Sequence, residues 1–167
     1  MKALRAKGVS VKYDNRSTHK PGWKFNEYEL KGVPVRIAIG PKDLEKEHVE
    51  VARRDTFEKQ FVAMDKIGDI VPSLLNEIQD LLFNKALDYR DSHITEVDDF
   101  ETFKKLLDTK SGFLSCHWDG TSATEDKIKD LTKATIRCIP FDAKEEAGVC
   151  ILTGAPSRRR VLFAKAY

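Results

Sequence analysis

The sequence predicts an α/β protein built as two modules joined by helices. Three observations carry that prediction. Apolar and polar residues alternate in short runs, the period-2 signature of half-buried strands, at residues 33–39, around Val49 and Val51, and again after Gly112. One stretch instead repeats at helical spacing: Ile67, Ile70, Val71, Leu74, Leu75, Ile78, Leu81 and Leu82. An acidic, polar segment, residues 91–99, separates two such mixtures. The 167 residues suit one ordinary domain or two small ones, and 41% apolar content is too high for a disordered chain.

Residues 1–7 read as a short helix stopped at Gly8, a residue suited to the position after a helix end. So short a helix does not recover its nucleation cost, so the chain is expected to open inside an element. Val9, Val11 and Tyr13 predict a strand, residues 14–22 a polar loop, and residues 23–30 a helix closed by Gly32. Val33, Val35, Ile37 and Ile39 share one face of the next strand, with Arg36 and Ala38 on the other. Gly40-Pro41 breaks it and Lys42-Asp43-Leu44 turns the chain. Strands at Val49–Val51 and 61–64 precede the 67–82 helix, in which Pro72 falls near the start, where a missing donor costs least. After the acidic boundary, Val97, Phe100, Phe103 and Leu107 mark a second amphipathic helix. Strand-like runs at 113–118, 135–141, 149–153 and 160–165 surround a helix near 124–132, with Ser122 or Thr124 as its cap and Glu125 and Asp126 in its first turn.

Charge is unevenly distributed. The net +2 divides into +6 over residues 1–36, −1 over 37–60, −7 over 61–157 and +4 over the last ten residues. A basic N-terminal third fits a polyanion-binding face, although charge alone favours the plainer reading of a solvated Lys-rich surface. No apolar run approaches the roughly 20 residues of a membrane helix. No secretory h-region is expected, and three distant cysteines (Cys116, Cys138, Cys150) fit reduced thiols of a cytoplasmic protein better than a disulfide framework. Phosphate-loop, GxGxxG, GxSxG and HExxH motifs are absent, and the four His are scattered, so no catalytic residue is assigned.

The segment 21–43 is more informative. In a helix, Phe25 and Glu29 share one face, while Arg36 points away from the side of Val35 and Ile37, and Lys42 and Asp43 follow the strand. An aromatic plane, a carboxylate and two cations suit an unstacked guanine. Its O6/N7 edge accepts from Arg or Lys, its N1–H/N2–H edge donates to a carboxylate, and its ring stacks on Phe. The plainer alternatives are a core Phe25 and a Glu29–Arg36 surface ion pair contributing at most about 1 kcal/mol.

This stretch, with its Lys-Pro-Gly-Trp-Lys-Phe and Gly-Pro-Lys-Asp-Leu-Glu runs, resembles the anticodon-binding domain of class II prolyl-tRNA synthetases of the archaeal and eukaryotic type. Residues 116–120, 150–154 and the terminal 161–167 are similar to the C-terminal module of the same enzymes. The resemblance spans essentially the whole chain. It implies a mixed-sheet class IIa anticodon-binding domain lacking its first strand over residues 1–92, followed by a small α/β module over 93–167. It implies that Phe25, Glu29, Arg36, Lys42 and Asp43 read the second and third anticodon bases, both guanine in tRNA(Pro), with phosphate contacts from Lys12, Arg16, Lys20, Lys24, Arg53 and Arg54. Tyr167 would reach toward the catalytic domain. The full-length enzyme would be a homodimer using ATP and Mg to attach proline to tRNA(Pro); the class II catalytic motifs are absent, so this chain by itself is expected to be non-catalytic and to hold no cofactor.

Family members often hold zinc in that module through two Cys pairs. Cys116 is matched by Thr121 and Cys150 by Thr153, and two thiolates fall short of a four-ligand site, so no structural zinc is expected. Two other readings remain: a free-standing RNA-binding accessory protein, and an enzyme using Cys116 and His117. The second is disfavoured because neighbours on a strand face opposite ways.

Overall fold

The structure, a computed structural model, describes residues 1–165; the expectation for Tyr167 lies outside them. The chain divides into two compact units, Met1–Ala86 and Leu87–Tyr167.

The first unit runs α1 (Lys2–Ala6), α2 (Pro21–Leu30), β1 (Val35–Ala38), α3 (Pro41–Glu45), β2 (His48–Arg53) and β3 (Lys59–Ala63). A 3₁₀ turn (Met64–Lys66) leads into α4 (Ile67–Ser92). The strands form an antiparallel sheet in the order β1-β2-β3. Alternation sorts its side chains. Val35, Ile37, Val49, Val51 and Val62 pack with Leu74 and Ile78 of α4. The opposite face follows from register, since cross-strand partners share a face: Ala38 opposes Glu50, and Glu50 opposes Phe61. Arg36, His48 and Lys59, each two residues from one of these, therefore lie on the same face as Phe61. α2 starts with Pro21 at its first position and ends as Gly32 takes φ 79°.

In the second unit β4 (Ile94–Glu96), α5 (Phe100–Thr109), β5 (Phe113–His117), α6 (Ser122–Thr132) and β6 (Ala134–Cys138) are followed by the two-residue strands β7 (Gly148–Val149) and β8 (Pro156–Ser157) and by β9 (Arg160–Lys165). The main sheet is mixed, in the order β4-β5-β9-β6, with β4 and β5 parallel and the other pairs antiparallel. A parallel pair needs a crossover, and α5 supplies it. Phe103 of α5 is fully buried edge-on against Phe163 of β9, centroids 5.5 Å apart, among Leu114, Ile128 and Val161.

The α/β class, the helices and most strands match the sequence pattern; six local expectations need correction. Val9–Tyr13 joins no ladder: Val9 N–H instead bonds Leu4 C=O, and Tyr13 is exposed, so alternation without a pairing partner leaves coil. Residues 41–45 are a helix rather than only a turn, because Pro41 presets its start and the Asp43 carboxylate takes the Gly40 N–H at 2.8 Å. The α4 helix continues ten residues past the apolar stripe, through good helix formers such as Lys85, Ala86 and Leu87. Within the acidic boundary lies β4, too short for alternation to register. Residues 150–154 form a tight turn rather than a strand, with Gly154 N–H on Cys150 C=O at 2.9 Å, and α6 is capped by Thr121 rather than by Ser122 or Thr124.

Candidate nucleic-acid interface

Phe25 of α2 meets Arg36 of β1 as a stack, the guanidinium carbon 3.5 Å from the ring centroid. A partly desolvated pairing of this kind contributes about 0.5–2 kcal/mol. The guanidinium is otherwise under-used. Its Nη1 reaches Glu50 Oε1 only at 3.5 Å, and its buried Nε–H has no acceptor. A guanidinium stacked on an aromatic ring, with its Nη1 met only at 3.5 Å by Glu50, can donate from its Nη edge to the O6/N7 edge of a guanine.

Glu29, one turn beyond Phe25, makes no ion pair among the described residues; its backbone carbonyl takes a 2.7 Å bond from Arg54 Nε. The alternative Glu29–Arg36 pair does not form, Arg36 turning to Glu50 instead. On α3, Lys42 is exposed and unpaired among the described residues. Asp43 places one oxygen on the Gly40 N–H and the other 3.5 Å from His48 Nε2. His48 in turn lies against Phe61, ring centroids 4.6 Å apart. The five candidate readers thus resolve into a Phe25–Arg36 patch and an Asp43–His48 patch, with Glu29 and Lys42 touching neither through a polar contact. His48, Glu50, Lys59 and Phe61 escape the sequence reading. The His48/Glu50 alternation with Val49 and Val51 marks them as off the core, but only register puts them on the same sheet face as Arg36.

Four of the six phosphate candidates are engaged within the protein. Arg16 is held by Asp14 at 2.6 Å and by Glu27, Lys24 lies 3.6 Å from Asp14, Arg53 is held by Asp55 at 2.8 Å and by Glu77, and Arg54 bonds the Glu29 carbonyl. The Arg16 hydrogen bond holds the Asp14 carboxyl well below the usual range. Lys12 and Lys20 are exposed and make no ion pair among the described residues. Trp23 is half exposed, stacked on His19 at 3.8 Å with Arg16 at 5.3 Å.

In the second unit, the positions the resemblance marks for zinc do not fit the metal. Cys116 and Cys150 are buried free thiols, and two sulfurs fall short of a four-ligand site. The Thr121 and Thr153 hydroxyls both donate to the Asp119 carboxylate, at 2.9 and 3.0 Å, as does Thr124 at 2.7 Å. Burial works to raise the Asp119 pKa, but the threonine hydroxyls and the Thr121 N–H outweigh it and hold it at about 2. No group of three or more His, Cys, Asp or Glu able to hold a metal is present among the described residues. The Cys116–His117 pair also fails as a nucleophile and base. His117 faces Ser157 Oγ at 3.1 Å and Glu146 Oε1 at 3.0 Å, and the Ser157 hydroxyl proton goes to the Arg159 carbonyl.

Residues 1–74 match the family described as "Anticodon binding domain", and residues 100–167 the family described as "Prolyl-tRNA synthetase, C-terminal". The chain joins the anticodon-binding and C-terminal domains of the prolyl-tRNA synthetase family. It is 65% identical over all its 167 residues to the proline–tRNA ligase of Christiangramia forsetii and 67% identical over 164 residues, 98% of the chain, to that of Flavobacterium johnsoniae. To the proline–tRNA ligase of Porphyromonas gingivalis it is 56% identical over 167 residues. The chain spans about a third of the length of these relatives, 34%, 33% and 34% respectively. Among the described residues, no helix is long and apolar enough to cross a membrane. The anticodon-binding match covers all five candidate readers; the C-terminal match covers the Asp119 threonine cluster.

Proposed function

We propose that this chain binds the anticodon loop of tRNA(Pro) and reads its two guanines, as the recognition part of a proline–tRNA ligase of the type shared with archaea and eukaryotes. The observation that carries the reading is the Arg36 guanidinium, flat on Phe25 with its Nε–H unanswered. The Nη edge of the guanidinium, met inside the protein only by Glu50 at 3.5 Å, is the edge that would donate to a guanine O6/N7 pair. Glu29, free of ion pairs, and Asp43 supply acceptors for the N1–H/N2–H edge, and Lys42 a further donor. Lys12 and Lys20 supply phosphate contacts and with them a salt-dependent, sequence-independent part of the affinity. Around this core, the reading includes a homodimeric, cytoplasmic enzyme with a catalytic domain toward which Tyr167 extends. ATP and Mg act in that class II domain, so the chain by itself binds but does not aminoacylate. Its C-terminal domain holds no zinc.

The test is titration of a proline anticodon stem-loop against one with both guanines replaced by adenine, at two salt concentrations. Arg36→Ala is expected to weaken the GG loop by about 1–3 kcal/mol and to erase most of the difference between the loops. Equal losses on both loops would reduce Arg36 to a phosphate contact and sink the reading.

A further inference from the structure

The Phe25–Arg36 stack offers one guanine an edge partner in the guanidinium, which covers one face of the Phe25 ring and leaves only the other for a base. The second base has acceptors and a donor in Asp43 and Lys42, but neither supplies a stacking surface. The sheet provides one.

Phe61 is 67% exposed, in the middle strand-length of β3, on the same face as Arg36. It is not a stray apolar side chain. Its inner side rests on His48, tilted 37° with centroids 4.6 Å apart, and His48 stands 3.5 Å from Asp43. Most of the Phe61 ring is therefore open to solvent, and the ring and the Asp43 carboxylate share His48 as a neighbour. Both His48 ring nitrogens are buried without a hydrogen-bond partner. In a folded protein each such atom calls for an explanation. A role as a fixed plate beneath Phe61 and beside Asp43 explains it: the imidazole is kept for its shape and position rather than for bonds of its own. Lys59, two residues before Phe61 on the same face, reaches Glu50 at 3.6 Å and keeps positive charge alongside.

The Cα atoms of Phe61 and Arg36 are separated by two strand spacings and a two-residue step, roughly 12 Å, and the Arg36 guanidinium is already stacked on Phe25, 3.5 Å from its ring centroid. We infer that Phe61 is the stacking platform for the second anticodon guanine, whose edge is read by Asp43 and Lys42, with His48 as the positioning residue that sets both the ring and the carboxylate. The inference rests on the anticodon reading proposed above. It assigns each of two neighbouring bases its own aromatic surface, Phe25 with Arg36 for one and Phe61 for the other.

The experiment uses the 167-residue chain and four anticodon stem-loops: GG, the two single guanine-to-adenine replacements, and the double replacement. Phe61→Ala is expected to weaken the GG loop roughly tenfold or more, within the range of base–aromatic stacking. On that background, one single replacement should no longer matter, while the other costs what it costs the unaltered chain. Phe61→Trp, which keeps a ring, should retain affinity, and Phe61→Leu, which keeps only bulk, should not. His48→Ala should weaken binding when Phe61 is present and add nothing to Phe61→Ala, whereas His48→Phe should retain affinity. Phe61→Ala binding within twofold of the unaltered chain, while Arg36→Ala still loses discrimination, overturns this inference and leaves the anticodon reading standing. Loss of both single-base preferences together in Phe61→Ala also overturns it, because the ring would then be shaping the whole surface. Absence of any preference for GG in the unaltered chain, or no effect of Arg36→Ala, takes down the reading and the inference together.

Discussion

His48 and His117 are both enclosed by protein, and the two units treat them in opposite ways. His117 has an oxygen on each ring nitrogen, Ser157 and Glu146, and Arg160 braces that glutamate at 2.7 Å. His48 has neither nitrogen bonded, and on the same sheet face Arg36 keeps an unanswered Nε–H. Among the described residues, the side-chain polar atoms that are buried without a partner, Arg36 Nε and the two His48 ring nitrogens, all lie on the sheet face of the anticodon-binding unit. Interior polar networks that close on themselves rigidify a fold. Ones left open on a face carrying an exposed aromatic fit a surface whose partners come from another molecule.

The comparison breaks most visibly at Asp119. Removing its carboxylate in Asp119→Ala strips the acceptor from three threonine hydroxyls, one of them buried, and should lower stability by roughly 2–4 kcal/mol, read by chemical denaturation. RNA affinity at native temperature should be unchanged. Metal analysis of the unaltered protein should find no stoichiometric zinc; about one zinc per chain would replace the threonine–carboxylate account with a metal-held one.

Acid should produce the next largest effect. Asp119 has its folded pKa depressed to about 2 against an ordinary value of 3.8. A depressed carboxylate contributes stability that is complete above the unfolded pKa and disappears as pH falls through the folded one. The stability gap between the unaltered chain and Asp119→Asn should therefore be constant above about pH 5 and on the order of 2 kcal/mol. It should shrink below pH 4 and close near pH 2. A gap that persists at pH 2 would mean the asparagine harms packing rather than charge.

The histidines give the smallest and sharpest contrast. His117→Phe leaves Glu146 and Ser157 without their partner and should cost about 1–3 kcal/mol. His48→Phe removes no hydrogen bond and should change stability by less than about 1 kcal/mol in either direction. Equal costs would erase the distinction between the two sites.

These same residues mark how far the sequence could be read. Periodicity identified α4 and the core faces of β1 and β2, because burial imposes it. The placement of Arg36 off the core and the pairing of Phe25 with Glu29 on one helix face followed from local geometry alone. What was not legible depends on register. Phe61 and His48 join the site only because β3 pairs with β2 so that Phe61 opposes Glu50, and nothing within either strand states that offset. The engagement of Arg16 and Arg53 was only half local: Asp14 and Asp55 stand two residues away, while Glu27 and Glu77 come from eleven and twenty-four residues away. The threonine cluster lay in plain view as two substitutions for cysteine, yet its hub, Asp119, carries no signature until the turn at 150–154 brings Thr153 to it.

The stack of Arg36 on Phe25 has a bearing on how such a domain can change over generations. One guanidinium fastens α2 to the sheet and, in the proposed reading, also faces the RNA. On that reading, a codon change that swaps it for a lysine, glutamine or serine would alter base preference and loosen the helix in a single event. New preferences at this spot are therefore reachable only alongside a second change that re-anchors α2, which makes the arginine hard to replace one step at a time.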